Sequence, residues 1–336
     1  ARSAVSLDKK RKEKIALNCN MQQEDIISAP DIETIYEVPL NFEKEKLSDR
    51  IFKKLKVKSR KRDLRLWTNF VLKIKNAQKS VRIGIVGKYF GTGDFILADS
   101  YISVIEAVKH AAFSQKYRPI IEWLNAEDYE KNPAKLIDLK NFDGIIVPGG
   151  FGERGIEGKI KTIEFCRKNK IPYFGLCYGM QLACIEFARH VCGLKNAHTT
   201  EVAKNTPYPI IDLMMEQKKI IAENRYGGTM RLGAYWCKLL PGTLSRRVYR
   251  REIVSERHRH RYEFNNKFRD LFIKQGLKIA GVNPERDLVE IIELKDHPFF
   301  VGTQFHPEFK SRPLAPHPLF LEFIRVAANG KDKKNK

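Results

Sequence analysis

From residue 81 onward, apolar runs of strand length alternate with longer segments of helical periodicity. The segment 100–113 is predicted to be a helix, because Ile102, Ile105 and Val108 recur on one face. Such alternation is typical of an α/β fold with a mostly parallel sheet flanked by helices. The predicted strands are 81–86, 119–124, 143–147, 171–176, 277–282, 288–294 and 299–305.

Residues 1–56 have a different pattern, with few apolar positions. We predict short strands at 14–17 and 26–28, and an amphipathic helix at 43–56 with Leu47, Ile51 and Leu55 on one face. So few apolar groups could not bury a core alone, and we expect this segment to be part of a larger domain.

The remaining domain boundaries are predicted from the distribution of basic residues along the chain. Basic residues are dense between 57 and 80, around a weakly helical stretch that contains Trp67 and Phe70, and we predict a basic linker there. The main domain is then expected over 81–328, followed by a disordered basic tail over 329–336.

The composition is that of a globular protein with 336 residues, 43% of them hydrophobic, and a net charge of +22. Lys and Arg are spread along the chain without interleaved aromatics, which disfavours a nucleic-acid partner but suits nucleotide phosphates. The absence of an apolar run near ~20 residues and of a signal-peptide pattern predicts a cytoplasmic protein without a membrane span. The six cysteines lack C-x-x-C or metal-ligand spacing, so we expect neither structural zinc nor a disulfide framework.

The strand at 171–176 ends in the sequence Gly175-Leu176-Cys177-Tyr178-Gly179, after which the pattern becomes helical. This spacing matches the G-x-S-x-G nucleophile elbow, in which small residues let a strand and a helix meet around a strained nucleophile. The N–H groups and partial positive charge at the helix N-terminus favour a thiolate. Cys177 is therefore a candidate nucleophile, with a buried, inert cysteine as the alternative.

Two glycine-rich turns follow predicted strands. Gly149-Gly150 follows 143–147 after Pro148, so its N–H groups can face a ligand at the same sheet edge as Cys177, although an ordinary tight turn has the same signature. The second turn, 87–94, lacks the third glycine of a dinucleotide fingerprint, because Ile96 stands there. We interpret it as a flexible loop.

A histidine and a carboxylate end the last predicted strand. His306 follows the run 299–305, and Glu308 lies two residues later. Such a carboxylate can fix the imidazole tautomer and stabilise the imidazolium that forms when the histidine takes a thiol proton. Together with Cys177 and the glycine turn, the pair predicts a Cys-His-Glu triad with an oxyanion site, whereas the histidine alone would more often be structural.

These stretches resemble the class I glutamine amidotransferases. The resemblance rests on 148–150, 175–181 and 304–308, and it implies the family's mostly parallel sheet with a nucleophile elbow. Other stretches are similar to the branch of that family that converts UTP to CTP, which implies that residues 1–56 are the C-terminal remnant of a P-loop-type synthetase domain. These stretches are 14–17, 27–31, 35–39, 152–155, 227–233 and 256–263.

The resemblance implies a role for each matching residue. Cys177 would attack the glutamine side-chain amide with His306 and Glu308 completing the triad, and water would hydrolyse the resulting glutamyl thioester to glutamate. Without the resemblance, Arg261 would be taken as part of a solvated basic run. The positions implied to bind glutamine or its oxyanion are Gly150, Tyr178, Gln181, Glu201 and Arg261.

The resemblance also implies partners beyond glutamine: UTP, ATP with Mg²⁺, GTP as an allosteric activator, and a homotetramer. Lys14 matches a UTP or CTP contact, and Pro30-Asp31-Ile32 matches a segment beside the ATP base. The sequence contains no phosphate-binding G-x-x-x-x-G-K-[ST] and no match to the magnesium ligands, so we expect the remainder of the synthetase domain to lie outside this chain. The chain would be a fragment, which Ala1 in place of methionine favours, or a separate chain would supply the rest.

The sequence departs from the family pattern at three places, which are Tyr178 in place of leucine, a longer loop at 90–98, and Met215 in place of proline.

Two other functions are compatible with the sequence. One is a stand-alone glutamine hydrolase, and the other is a non-catalytic, truncated assembly partner.

Overall fold

The computed structural model describes residues 1–59, 62–87, 101–213 and 230–334 of the chain. The chain divides into two compact units, residues 1–76 and 77–336. The predictions for the loops at 88–98, for Met215 and for 227–229 lie outside the described residues. Within the described ranges, no helix has both the length and the apolarity that a membrane crossing requires.

The first unit is mainly helical. Its two short strands pair in parallel, with Arg2 opposite Ala29, and short 3-10 turns lie at Gln23–Asp25 and Ile35–Glu37. Its elements are β1 (Arg2–Ser3), α1 (Lys9–Asn18), β2 (Ala29–Pro30), α2 (Val38–Lys44), α3 (Leu47–Lys54) and α4 (Arg65–Lys75).

Three secondary-structure predictions for this unit are wrong. Residues 14–17 belong to α1, which begins because the Asp8 side chain caps it by accepting a hydrogen bond from the N–H of Arg11. Residues 26–28 precede β2 and form no strand. The predicted helix at 43–56 is two helices, separated where Lys46 adopts a left-handed φ of 57°.

The interval 57–80, which we predicted to be a linker, contains α4. Its Trp67 donates a hydrogen bond from Nε1 to the carbonyl oxygen of Tyr36 at 2.7 Å, and the Phe70 ring packs edge-on against the Tyr36 ring at 5.2 Å. Tyr36, Phe70 and Val71 are buried. This small aromatic cluster anchors α4 to the preceding segment, which the charged composition of the interval did not indicate.

The second unit is an α/β structure, as predicted. Its strands are β3 (Lys79–Gly87), β4 (Tyr117–Asn125), β5 (Gly144–Val147), β6 (Tyr173–Leu176), β7 (Ala197–Thr199), β8 (Tyr208–Leu213), β9 (Arg231–Leu239), β10 (Ile253–His260), β11 (Tyr262–Phe264), β12 (Leu277–Val282), β13 (Val289–Leu294) and β14 (Phe300–Thr303). Its helices are α5 (Ile102–Ser114), α6 (Ala126–Lys131), α7 (Ile156–Asn169), α8 (Tyr178–His190), α9 (Leu244–Tyr249), α10 (Arg269–Lys274) and α11 (Pro318–Lys334). The last helix continues into the interval 329–336, where we predicted a disordered tail.

A nine-stranded sheet organises this unit, in the order β10-β9-β12-β13-β14-β6-β5-β3-β4. The strands from β14 to β4 pair in parallel, and those from β10 to β14 pair antiparallel. Every residue of β5, β6 and β14 is buried, as expected for parallel strands covered on both faces. A separate three-stranded sheet has the order β11-β8-β7.

The sequence pattern did not predict β9 and β10. In β10 the buried side chains Glu256, His258 and His260 alternate with the exposed Arg257 and Arg259. This alternation has the period of two that is typical of a strand, but the residues on both faces are polar. A search for apolar alternation therefore misses this edge of the sheet.

Phe174 of β6 provides a test of the core. Its ring is fully buried and packs against Phe320 at 5.0 Å and Phe299 at 5.6 Å. We expect Phe174→Ala to lower the free energy of unfolding of the second unit by about 3–5 kcal/mol, through lost burial and the cavity left behind. Urea denaturation followed by near-ultraviolet circular dichroism measures this. Leu232→Ala, at a side chain that is 65% exposed, should change it by less than about 0.5 kcal/mol, and equal effects would contradict the packing described.

Candidate active site

Cys177 lies between the end of β6 and the start of α8, in a strained backbone conformation. Its φ of 50° and ψ of −99° are not those of a strand or a helix. Its N–H donates to the carbonyl oxygen of Thr303 at 2.6 Å, which ties the turn to β14. A non-glycine residue with such backbone angles is strained and must be stabilised by its surroundings. Residues of this kind are common at functional sites.

A close approach of the backbone supports this turn. A Cβ atom on Gly179 would lie only 2.1 Å from the carbonyl oxygen of Val147, so only glycine lets α8 pass so near the end of β5. The small residues of the elbow pattern therefore have the steric role that the sequence predicted for them. The adjacent Tyr178 is the first residue of α8, where backbone N–H groups have no partner within the helix.

His306 and Glu308 form a close pair beside Cys177. The imidazole Nδ1 lies 2.7 Å from Glu308 Oε1, and Glu308 belongs to a short 3-10 helix at Pro307–Lys310. The backbone N–H of His306 donates to the carbonyl oxygen of Arg257 in β10 at 2.8 Å, and its ring stacks on Phe309 at 5.1 Å. These contacts fix both the position and the orientation of the imidazole.

The pKa of His306 is raised well above its ordinary value. Burial alone would lower it, but the Glu308 carboxylate and the nearby Cys177 sulfur outweigh burial and favour the imidazolium. Gly149 leaves room for this arrangement, because a Cβ atom there would approach His306 Cε1 to 2.8 Å and Cys177 Cβ to 3.6 Å. The structure thus brings the glycine turn, the thiol and the His–Glu pair together.

The other predicted glutamine-binding residues surround the same turn. Gln181 lies one turn into α8 and donates from Nε2 to the carbonyl oxygen of Tyr262 at 2.8 Å. Glu201 is close enough to contribute to the raised pKa values of Tyr178 and Tyr262, while the nearby Arg261 opposes the shift at Tyr262; in both tyrosines burial is the largest cause. Arg261 itself is exposed in the bend between β10 and β11.

Gly150, the predicted oxyanion donor, lies beside a buried lysine. A Cβ atom on Gly150 would be 4.0 Å from Lys159 Nζ, and the same ammonium lies over the Tyr178 ring, 5.6 Å from its centroid. A cation next to the place where an oxyanion would form adds to the positive field of the α8 N-terminus. Sequence reasoning did not identify Lys159.

A buried charged cluster that includes His258 of β10 was also missed. Arg231 Nη2 and His258 Nε2 contact the two oxygens of Glu290 at 2.8 and 2.7 Å, and Arg231 Nη1 contacts Glu263 at 3.1 Å. Burial raises the pKa of Glu263 to about 8 despite Arg231. Burial, together with His258 and Arg231, lowers the pKa of His260 well below its usual value, so this histidine beside His306 stays neutral. The only sequence signal was the polar alternation of β10.

One group of possible metal ligands occurs among the described residues. Glu164, Glu186 and His190 could direct one atom each to a common point. However, Arg167 pairs with Glu186 at 2.6 Å and Lys168 pairs with Glu164 at 2.5 Å. The cations already balance the carboxylates, so the cluster is an ion-pair network.

The predicted nucleotide contacts lie in the first unit. Lys14 is an exposed residue of α1, and Pro30 and Ile32 are half-buried. Asp31 is 60% exposed and pairs with Arg2 at 3.5 Å. Within residues 1–59 the structure contains no glycine-rich turn leading into a helix that could hold phosphates.

Comparison with known proteins gives the class. A family model described as glutamine amidotransferase class-I matches residues 96–326, and one described as CTP synthase N-terminus matches residues 1–57. The solved glutaminase domain of Trypanosoma brucei CTPS with bound acivicin is 36% identical, with a TM-score of 0.69, and the match covers 74% of this chain and 94% of that domain. The chain belongs to the class I glutamine amidotransferases.

The particular family follows from the curated relatives. The CTP synthase of Caldanaerobacter subterraneus subsp. tengcongensis is 53% identical over 330 residues, and that of Carboxydothermus hydrogenoformans is 52% identical over 324 residues. The matches cover 98% and 96% of this chain but 59% of each relative. With the two family models and the solved domain, they assign the chain to the CTP synthase family, and it spans about three fifths of the length of these members.

The His306–Glu308 pair predicts a specific pH dependence of stability. A histidine whose pKa is raised by folding stabilises the fold below the pKa of an unfolded histidine, ~6.5, and this contribution is lost as pH rises through the folded pKa. Glu308→Gln removes the carboxylate, so the pKa of His306 falls and this pH-dependent contribution shrinks.

Urea unfolding of both proteins between about pH 6 and pH 9 measures the difference, and NMR titration of the His306 ring confirms its source. Glu285→Gln, at an exposed carboxylate, is the matched control and should follow the wild-type curve. An unchanged His306 titration in Glu308→Gln would show that the carboxylate does not control the imidazole.

Proposed function

We propose that this chain carries the glutaminase half-reaction of a CTP synthase, in which Cys177 is the nucleophile. The main support is one geometric observation: a cysteine with positive φ at the N-terminus of α8 lies beside a histidine whose Nδ1 is 2.7 Å from the Glu308 carboxylate. A thiol at a helix N-terminus beside an oriented base is the arrangement required for attack on an amide.

The first half of the reaction forms a thioester. His306 takes the Cys177 proton as Sγ attacks the side-chain carbonyl carbon of glutamine, and the negative charge moves to the carbonyl oxygen. The N–H groups of Gly150 and Tyr178 would stabilise that oxyanion, each contributing about 10²–10³ in rate by analogy with similar donors. The C–N bond then breaks, and His306 returns the proton to the departing nitrogen, which leaves as ammonia.

The second half releases glutamate. A water molecule takes the place of the ammonia, His306 removes one of its protons, and the oxygen attacks the thioester carbon. Collapse of this intermediate breaks the C–S bond, and the proton on His306 returns to the sulfur. The enzyme regains its thiol, and the net reaction consumes one glutamine and one water.

Substrate recognition would depend on charge complementarity. The α-carboxylate of glutamine suits the planar, forked guanidinium of Arg261, and its α-ammonium suits the Glu201 carboxylate. Gln181, whose Nε2 donates to the Tyr262 carbonyl, would also contact the substrate. The resemblance to the family first suggested these roles.

The full reaction would use the ammonia to convert UTP to CTP. ATP with Mg²⁺ would activate UTP in a synthetase part of which this chain carries only a remnant, and GTP would activate glutamine hydrolysis. The match of residues 1–57 to the CTP synthase N-terminus favours this role over a stand-alone hydrolase. A homotetramer is proposed on the same resemblance.

Cys177→Ala tests the nucleophile. We expect the rate of glutamine hydrolysis by this chain to fall at least about 10³-fold, because the proposed thioester forms on the Cys177 sulfur. Cys184→Ala should retain the rate, since Cys184 is a buried cysteine of α8 whose pKa burial raises far above its usual range. An electrophilic glutamine analogue should add to Cys177 alone, as read by mass spectrometry. Equal hydrolysis by Cys177→Ala and the wild type would defeat the proposal, as would an adduct elsewhere.

Arg261→Lys tests substrate recognition. A lysine keeps the charge but loses the bidentate fork, so we expect KM for glutamine to rise about 10-fold or more with kcat little changed. Steady-state kinetics measure both constants. Arg251→Lys, at another exposed arginine of the second unit, should leave both at wild-type values. A loss confined to kcat would assign Arg261 a different role.

A further inference from the structure

Gln304 stands beside the nucleophile because of strand register. It follows β14, whose Thr303 pairs with Leu176 at the end of β6, so the next residue of each strand emerges at the same place. The backbone N–H of Gln304 donates to the carbonyl oxygen of Glu290 at 2.8 Å, and the side chain is fully buried. A buried polar amide must find partners for both its donor and its acceptor atoms.

The orientation of this amide follows from a chain of hydrogen bonds. The carbonyl oxygen of Tyr262 can only accept, so the atom of Gln181 that faces it at 2.8 Å must be Nε2. The same Nε2 donates to Gln304 Oε1 at 3.2 Å. Because Oε1 is thereby fixed, the other end of the amide, Nε2 of Gln304, faces the Cys177 sulfur at 3.8 Å.

We propose that Gln304 is a thiolate-stabilising residue, whose Nε2–H donates a hydrogen bond to Cys177 Sγ when His306 has taken the thiol proton. The proposal rests on the proposed role of Cys177 as nucleophile. An N–H donor has no lone pair to receive a thiol proton, whereas it interacts strongly with a sulfur anion, since charge-assisted hydrogen bonds are about twice as strong as neutral ones. Gln304 therefore favours the reactive form.

The protonated thiol of Cys177 has a different hydrogen-bond partner. The carbonyl oxygen of Arg259 in β10 lies 4.0 Å from Cys177 Sγ and can accept the thiol proton. The other titratable group at the sulfur is His306, which is paired through Nδ1 with Glu308. The sulfur thus has an acceptor that suits the thiol on one side and a donor that suits the thiolate on the other.

The alkylation rate of Cys177 by iodoacetamide, followed peptide by peptide across pH, reports the thiolate directly and needs no substrate. We expect Gln304→Met, of similar length but without a donor, to move the midpoint of the rate–pH profile upward by about one pH unit, the size expected for loss of a hydrogen bond to a charged group. Gln304→Glu, which can still accept from Gln181, should shift it upward as well. A merely structural glutamine would give an unchanged midpoint.

Thr162→Val is the matched control, because it replaces a buried polar group of α7 whose hydroxyl donates to the Gly158 carbonyl at 2.9 Å and not to the sulfur. It should keep the wild-type midpoint. A wild-type midpoint in folded Gln304→Met, with Cys177 still reactive, would overturn the proposal. The proposed function fails separately, if Cys177→Ala hydrolyses glutamine at the wild-type rate.

A second measurement needs no substitution. In the wild-type chain, the Nε2 proton resonances of Gln304 should shift over the same pH range as the alkylation profile, and this shift should disappear in Cys177→Ala. Resonances that do not change across that range would likewise overturn the proposal, even if the Gln304 variants fail to fold.

Discussion

The short hydrogen bond from the N–H of Cys177 to the carbonyl oxygen of Thr303 is the contact on which the site depends. It joins the strained turn after β6 to the end of β14. Once this register is set, the residues after Thr303 must emerge beside the sulfur, first Gln304 and then His306. A positive φ at a non-glycine residue costs of order 1–3 kcal/mol. The buried strands around the turn provide the packing that stabilises it.

A second constraint comes from the antiparallel half of the sheet. The carbonyl groups of Arg257 and Arg259 in β10 contact His306 N–H and Cys177 Sγ, so this strand forms one wall of the site through its backbone. One of its buried side chains, His258, belongs to the cluster with Arg231 and Glu290. Buried charges are costly unless paired, and breaking one pair leaves the others uncompensated. The cluster therefore holds the wall in one arrangement.

The sequence predicted the parts of this molecule that short motifs define. The elbow around Cys177, the buried strands β5, β6 and β14, and the α/β class could all be predicted, because glycine spacing and continuous apolar runs have few structural solutions. Strand β10 could not, since its alternation is polar on both faces. The strand predicted at 14–17 was wrong because a short apolar run fits a strand or a helix equally well. The Asp8 side chain caps the N-terminus of α1 and so favours the helix. Gln304 lay within a matched stretch, but its role depends on hydrogen bonds between distant segments that no local pattern records.

The position of β14 also sets the order in which the molecule can become reactive during synthesis. This strand is near the end of the chain, yet it lies in the interior of the sheet, between β13 and β6. Until residues 300–303 leave the ribosome, the parallel and antiparallel halves have no strand to join them, and Cys177 lacks the backbone partner of its turn. Pairing between segments so far apart in sequence is slow to form. The nascent chain therefore carries a cysteine without its base, and the thiol gains its neighbours only when the sheet closes.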